Sequence, residues 1–340
     1  MAEVSGHSPG TNVGSNRNQE RHKNVAKRIA CTNPGNADGN ASRMKPSLFC
    51  FGLGYTATGL GHVLMKKGWK VSGTCSSPER ARTLQQEGFC TYVFHAEKGR
   101  PGQECFDALR QCSHVLISIP PKGDGGMDCV LEWFEDFLIR SMEQLQWLGY
   151  LSTTSVYGNW GGQLVDEDTE CRATSEKAKS RFQSERLWLE LRRKYGIPVH
   201  VFRLGGIYGP KRSILNRVAA NKLTESQKQR RTRKYTARCH VHDICQVLEA
   251  SMKAPQPGRV YNVVDDNPAS SSVVEAFACS LLAGNFPDLA TSMEELGCVC
   301  REGKRVSNRR IKEELGISLM YPSYESGLLS IYENETEPFV

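Results

Sequence analysis

The sequence predicts an α/β protein: a doubly wound parallel sheet of about seven strands, helices on both faces, and a smaller C-terminal lobe. Two observations carry this. From Pro46 onward, short β-rich apolar runs alternate with helical patterns. Parallel neighbours need crossover connections, and those place helices on both sides of the sheet. A glycine-rich turn also follows the first apolar run directly and opens a helix.

In order, residues 47–51 read as a buried strand and 56–67 as a helix. Residues 70–75 read as a strand, 78–87 as a helix and 90–94 as a short third strand. Strand 114–118 precedes a helical stretch over 128–146, and strand 148–153 precedes a long helix over 175–195. Runs 198–204 and 260–264 complete the strands; after Pro268 the chain turns helical and ends in a polar-aromatic segment near Tyr321. No repeat of fixed period is present.

The 340 residues carry a net charge of +7, with 39% hydrophobic and 24% charged residues, the composition of a folded globular chain. The charge is uneven. Residues 1–45 have seven basic and three acidic residues, and 211–238 have ten basic residues against Glu225 alone, leaving the body acidic. A general nucleic-acid binder spreads its positive charge over a face, so a local anion site or a solvated loop fits 211–238 better. Nucleic acid is therefore not an expected partner. No run of roughly eighteen apolar residues exists, so membrane insertion is not expected either. Thirteen cysteines, none spaced C-x-x-C, fit buried thiols in a reducing compartment rather than disulfides or a zinc ribbon. That compartment is the cytoplasm, or a plastid or other organelle stroma if the Arg-rich, acid-poor residues 1–45 are a transit peptide rather than a plain tail.

Gly52-Leu-Gly54-Tyr55-Thr56-Ala57 matches G-x-G-x-x-G/A in strand–turn–helix context. Gly52 permits the tight turn, Gly54 lets backbone approach a pyrophosphate, and Ala57 keeps the helix close to the sheet. The helix N-terminus offers free N–H groups to the phosphates. An NAD(P) site on a Rossmann sheet follows, with Tyr55 and Thr56 in the turn and Pro120 after the fourth strand. The second strand ends Ser76-Ser77-Pro-Glu79-Arg80 without a carboxylate at its tip. Two hydroxyls and Arg80 suit a 2′-phosphate, which favours NADP, while Glu79 keeps NAD open.

Leu151-Ser-Thr153-Thr-Ser-Val-Tyr157-Gly resembles the end of the fifth strand in extended short-chain dehydrogenases/reductases, the NAD-dependent epimerase/dehydratase family. Arg203-Leu-Gly-Gly-Ile-Tyr208-Gly-Pro, Arg238-Cys-His240-Val-His242-Asp243 and Tyr261-Asn262-Val-Val-Asp265 fit the same family in order. The resemblance implies a Rossmann domain over 46–206. It also implies a segment over 207–330 that forms a substrate lobe and returns strand 260–264 to the sheet, then a tail at 331–340. It implies a homodimer by analogy, and Thr153 as the hydroxyl that meets the reacting oxygen.

The family's catalytic pair is Tyr-x-x-x-Lys on the helix after the fifth strand, and residues 172–186 contain no tyrosine. With Glu185 matched to the acidic residue that commonly follows the motif, Lys177 takes the Tyr place and Arg181 the Lys place. With Lys179 matched to the Lys, Ser175 takes the Tyr place. Arg181 lies one turn from Lys177, and like charge depresses an ammonium pKa, which would suit Lys177 for acid/base work. Tyr157 and His240 are alternatives. His240, His242 and Asp243 do not have metal-site spacing, and Asp243 reads as the N-cap of a helix beginning near Ile244. Arg203, Lys211, Arg212, Arg217 and Arg238, with Tyr208 and His240, mark a site for a small anionic substrate, phosphorylated or nucleotide-linked. An oxidoreductase, epimerase or dehydratase with a non-standard acid/base is the first expectation. A catalytically silent NAD(P)-binding sensor or scaffold is the second.

Overall fold

A computed structural model describes residues 45–95, 99–121, 127–219, 234–284 and 303–334. The tail at 1–44, most of the basic run (220–233) and residues 335–340 lie outside the described residues, so the expectations placed on them are not addressed.

Seven parallel strands form one sheet in the order β3-β2-β1-β4-β5-β7-β10. They are β1 (Ser47–Phe51), β2 (Lys70–Cys75), β3 (Cys90–Val93), β4 (His114–Ile117), β5 (Trp147–Thr153), β7 (Val199–Leu204) and β10 (Val260–Val263). Every residue of β1 is buried, as an inner parallel strand with both faces covered requires. Its period of two sorts its side chains. Leu48 and Cys50 enter a core with α1 (Tyr55–Lys66) and α7 (Val241–Lys253). Phe49 and Phe51 enter the opposite core with α3 (Gln103–Arg110), α4 (Cys129–Ser141) and α5 (Glu176–Tyr195). Helix α2 (Pro78–Gln86) links β2 to β3.

The C-terminal helices build a separate core. Ile214 and Leu215 of α6 (Ile214–Ala219), Val274 and Phe277 of α8 (Ser271–Leu282), and Tyr324 and Leu328 of α10 (Tyr324–Asn334) pack together there. Two small parallel sheets connect the parts: β8 (Gly206–Tyr208) with β9 (Arg238–His240), and β6 (Leu164–Val165) with β11 (Arg305–Val306). Helix α9 (Arg309–Leu315) lies beside β10. Among the described residues no helix is long and apolar enough to cross a membrane.

Three expectations need correction. The helix expected over 128–146 ends at Ser141, because residues 142–146 must turn for Trp147 to enter the sheet beside His114. Helix α3, which the sequence reading passed over, fills the crossover between β3 and β4 with Cys105, Phe106 and Leu109 buried. Asp243 is not an N-cap. His240 caps α7 by accepting the His242 N–H on Nδ1 at 3.2 Å, and the Asp243 carboxylate instead accepts the Met320 and Tyr321 N–H groups at 2.7 and 3.2 Å.

Gly209, Pro210, Lys211 and Arg212 form a closed turn, with the Arg212 N–H donating to the Gly209 carbonyl at 3.0 Å. Lys211 sits at φ +59°, the third position of a type II-like turn that glycine occupies without steric cost. Lys211→Gly is expected to raise stability by about 1 kcal/mol, read as a higher melting temperature. A lower one would show that the lysine side chain contributes more than its backbone strain removes.

Candidate functional site

The sheet order reverses between β1 and β4, where the outgoing connections run to opposite sides and leave a crevice at the carboxyl ends of the strands. The Gly52–Ala57 turn leaves β1 at this point. Gly52 has φ +88°, and a Cβ there would lie 2.8 Å from Ile119 Cγ1, so glycine is required. Strand β2 pins the turn: the Gly52 N–H donates to Thr74 Oγ1 at 2.9 Å and the Leu53 N–H to the Thr74 carbonyl at 2.7 Å. Gly54 differs. Its φ is −86°, it is exposed, and a Cβ added to it meets nothing within 4 Å. It caps α1 without a side chain, which leaves the first N–H groups of the helix to whatever occupies that space. The buried Thr56 and Ala57 seat the helix against the sheet.

At the tip of β2, Ser77 accepts the Arg80 N–H at 3.3 Å and so caps α2, while Ser76 and Arg80 are exposed. Pro120 is exposed beyond β4, where the Ser118 and Ile119 N–H groups both donate to the Phe51 carbonyl. Tyr55 reaches across the crevice: its hydroxyl donates to the Pro210 carbonyl at 2.9 Å, and the Arg212 guanidinium lies 5.3 Å from its ring centroid. Burial pushes the Tyr55 phenol up to about 12, so it stays a donor.

Thr153 ends β5 and caps a single 3-10 turn, Thr154–Tyr157. Its Oγ1 accepts the Ser155 N–H and donates to Ser155 Oγ, each at 3.2 Å, and Ser155 is exposed. The two hydroxyls therefore form a pair, of which the sequence reading selected only the first. Lys177 is exposed on the first turn of α5, which packs against this 3-10 turn. Arg181 turns back into the sheet and donates to the Leu151 carbonyl at 2.6 Å.

Tyr157 and Arg203 depart from the expectations for them. Tyr157 is fully buried; its hydroxyl donates to Asn262 Oδ1 and accepts from Arg203 Nη1, both at 2.8 Å, and burial raises its pKa. Arg203 is 5% exposed and ion-paired with Glu185, its Nε 3.0 Å from Oε1, while Ser152 donates to the other oxygen at 2.8 Å. Glu167 completes the network, accepting the Asn262 N–H at 2.8 Å. These groups face one another across β5, β7, β10 and α5 because each buried polar atom needs a partner. All six side chains are buried, so none of them is presented to solvent.

In the lobe, Arg212 is exposed and Arg217 half-buried, whereas Tyr208 and His240 are buried rather than set in an open pocket. The Tyr208 hydroxyl donates to the Ser323 carbonyl at 3.3 Å. The His240 ring packs 4.1 Å from Tyr321, and burial lowers its pKa to about 3, which keeps it neutral. Arg238 Nη1 donates to the Thr236 and Ala269 carbonyls at 2.9 and 2.6 Å. Among the described residues no three or more potential ligands cluster as a metal site would require. Two shallow surface depressions, around Arg192 and Gly258 and around Arg110 and Gln144, lie near the amino ends of strands, away from the crevice.

Residues 131–264 match the model of the NAD dependent epimerase/dehydratase family. A solved structure of a functionally unknown conserved protein from Silicibacter pomeroyi is 35% identical, covers 86% of this chain and 100% of its own, and superposes with a TM-score of 0.70. The chain belongs to the NAD-dependent epimerase/dehydratase family. Protein YeeZ of Escherichia coli K12 is 24% identical over 277 residues, 80% of this chain and 94% of its own. A UDP-glucuronic acid 4-epimerase from Bacillus cereus, solved with NAD, shares the family fold at TM-score 0.65 and 15% identity, over 85% of this chain and 96% of its own. A dTDP-glucose 4,6-dehydratase from Bacillus anthracis, also solved with NAD, does so at 0.64 and 17%, over 85% and 96%.

Proposed function

We propose that this family member binds NAD(P) in the β1–β4 crevice and acts as an oxidoreductase, epimerase or dehydratase on a phosphorylated or nucleotide-linked substrate. Its acid/base group lies outside the usual Tyr-x-x-x-Lys pair. The observation that carries the reading is the Gly54 cradle: open space above an uncapped helix N-terminus, at the sheet's switch point. Gly52, Gly54, Tyr55, Thr56 and Ala57 would hold the pyrophosphate, Ser76, Ser77 and Arg80 the adenosine ribose, and Pro120 the opposite wall. When bound, the nicotinamide supplies a hydride acceptor or donor.

The chain's own residues supply the rest. The Thr153 hydroxyl is spent on Ser155, so Ser155 Oγ–H is the donor left to orient a substrate oxygen. Lys177, exposed on the first turn of the adjoining helix, would exchange a proton with that oxygen. Tyr157 and Arg181, tied to Asn262 and Leu151, serve as supports. Arg212 and Arg217 would hold a substrate phosphate.

Calorimetric titration with NADP and NAD, followed by turnover of nucleotide sugars, tests the reading. Micromolar NADP binding, several-fold tighter than NAD and weakened about tenfold by Arg80→Ala, is the expected result. Tighter NAD binding would reverse the cofactor preference. Coenzyme binding with no turnover of any nucleotide sugar or phosphorylated alcohol would establish a silent coenzyme-binding protein instead.

A further inference from the structure

Tyr55 belongs to two parts of the molecule at once. Its backbone opens α1 beside the Gly54 cradle, and its hydroxyl ends on the lobe side of the crevice, donating to the Pro210 carbonyl at 2.9 Å. The receiving turn lies close because Gly209 has no side chain. A Cβ added there would meet the Tyr55 hydroxyl and lie 2.7 Å from Val241 Cγ1 of α7. Pro210 is buried with its φ fixed by the ring. The Gly209 and Arg212 N–H groups each donate to the other residue's carbonyl, at 3.3 and 3.0 Å. The turn is therefore one stiff piece. From it the exposed Arg212 brings its guanidinium to 5.3 Å from the Tyr55 ring centroid, within cation–π range.

The two ends of this link are held differently. On the lobe side the turn runs straight into α6. Ser213 is buried there and donates to Asn216 Oδ1 through its N–H at 2.8 Å and its hydroxyl at 2.9 Å, and Ile214 and Leu215 enter the lobe core. Within the turn Lys211 keeps φ +59°, a conformation that a side-chain-bearing residue retains only where its surroundings enforce it. On the coenzyme side Gly54 gives α1 no side-chain cap, so the first helical turn rests on backbone bonds such as Thr58 N–H to the Gly54 carbonyl at 2.8 Å. Such helix ends fray. A pyrophosphate on the first N–H groups would cap that turn. Tyr55 is its first residue, so steadying the turn steadies the phenol and, through it, the Pro210 carbonyl.

We propose that Tyr55 is a positioning residue: coenzyme occupancy, acting through its hydroxyl, holds the Gly209–Arg212 turn in place and so sets the position of the Arg212 guanidinium. The inference rests on the coenzyme reading above and deepens it, because Arg212 would hold the substrate's phosphate. The link is reciprocal, so whatever steadies the turn also tightens coenzyme binding.

Hydrogen exchange read by mass spectrometry tests this on the full chain, with saturating NADP, with saturating NAD and with neither, for wild type and Tyr55→Phe. The phenylalanine keeps a ring beside Arg212 and removes the bond to Pro210. In wild type, coenzyme is expected to slow exchange over residues 52–57 and, by about threefold to tenfold, over 209–212. With Tyr55→Phe brought to saturation, as judged by the slowing over 52–57, the slowing over 209–212 should fall below about twofold. Wild-type slowing over 52–57 without any over 209–212 would overturn the link and leave the proposed function standing. Faster exchange over 209–212 in Tyr55→Phe with the coenzyme response intact would also overturn it, showing a bond that only stabilises the turn. So would a Tyr55→Phe protein that binds no coenzyme, which would place the hydroxyl in the coenzyme site itself. No slowing over 52–57 by either coenzyme in wild type would remove the proposed function, and this inference with it.

Discussion

Gly54→Val is expected to abolish coenzyme binding while lowering stability by about 1 kcal/mol or less. The backbone at Gly54 is extended on the negative-φ side, and nothing lies within 4 Å of the added Cβ, so the folded protein accommodates the valine. The cost to folding is that of a poorer helix cap. A pyrophosphate, by contrast, must approach the bare N–H groups that follow. Displacing it forfeits two or more charge-assisted hydrogen bonds of about 1.5–3 kcal/mol each, a loss of about a hundredfold or more in affinity. Gly52→Val is the internal control with the opposite balance. At φ +88° and 2.8 Å from Ile119 Cγ1, it is expected to lower the melting temperature outright. Titration beside a thermal melt separates the two. Wild-type coenzyme affinity in Gly54→Val would remove the turn from any role in phosphate binding.

The two glycines also show how far the primary structure reaches. The turn and the central strands were legible because each is written locally: Leu48–Phe51 is an unbroken apolar run before the glycines, and both faces of its strand are buried. Serine N-caps such as Ser77 and Ser175 follow the same local logic. The His240 cap did not, since histidine is an uncommon cap and the adjacent Asp243 offered the usual signal; tertiary contact with Met320 and Tyr321 claimed that carboxylate. The C-terminal core joins Ile214, Phe277 and Tyr324, residues whose proximity no period along the chain encodes. The same limit governed Arg203 and Tyr157. Both sit in motifs that resemble substrate-contacting segments, and only the packing of α5 under β5 and β7 shows Arg203 bonded to both Glu185 and Tyr157. Ser155 was missed for a smaller reason: four consecutive hydroxyl residues look alike until the 3-10 turn pairs one with Thr153.

Arg203→Met is expected to cost about 3–5 kcal/mol, the range for removing one partner of a buried ion pair. Glu185 is 1% exposed, so its carboxylate would keep only the Ser152 hydroxyl, and the Tyr157 hydroxyl would lose the guanidinium as donor. Against a total stability of about 5–15 kcal/mol, such a loss brings the variant near unfolding at physiological temperature. Glu185→Leu alone leaves the guanidinium uncompensated and should cost a similar amount. The double variant removes both charges together and should recover most of the loss, because desolvation of the pair offsets much of its attraction. Urea unfolding of the four proteins measures the non-additivity. It also decides what Arg203 is for. A purely supporting arginine predicts that the double variant, once stable, binds nucleotide substrates as wild type does. An arginine that also grips the substrate's phosphate predicts a folded double variant with substrate affinity reduced tenfold or more, and that result would return Arg203 to the substrate site from which its burial and its bond to Glu185 remove it.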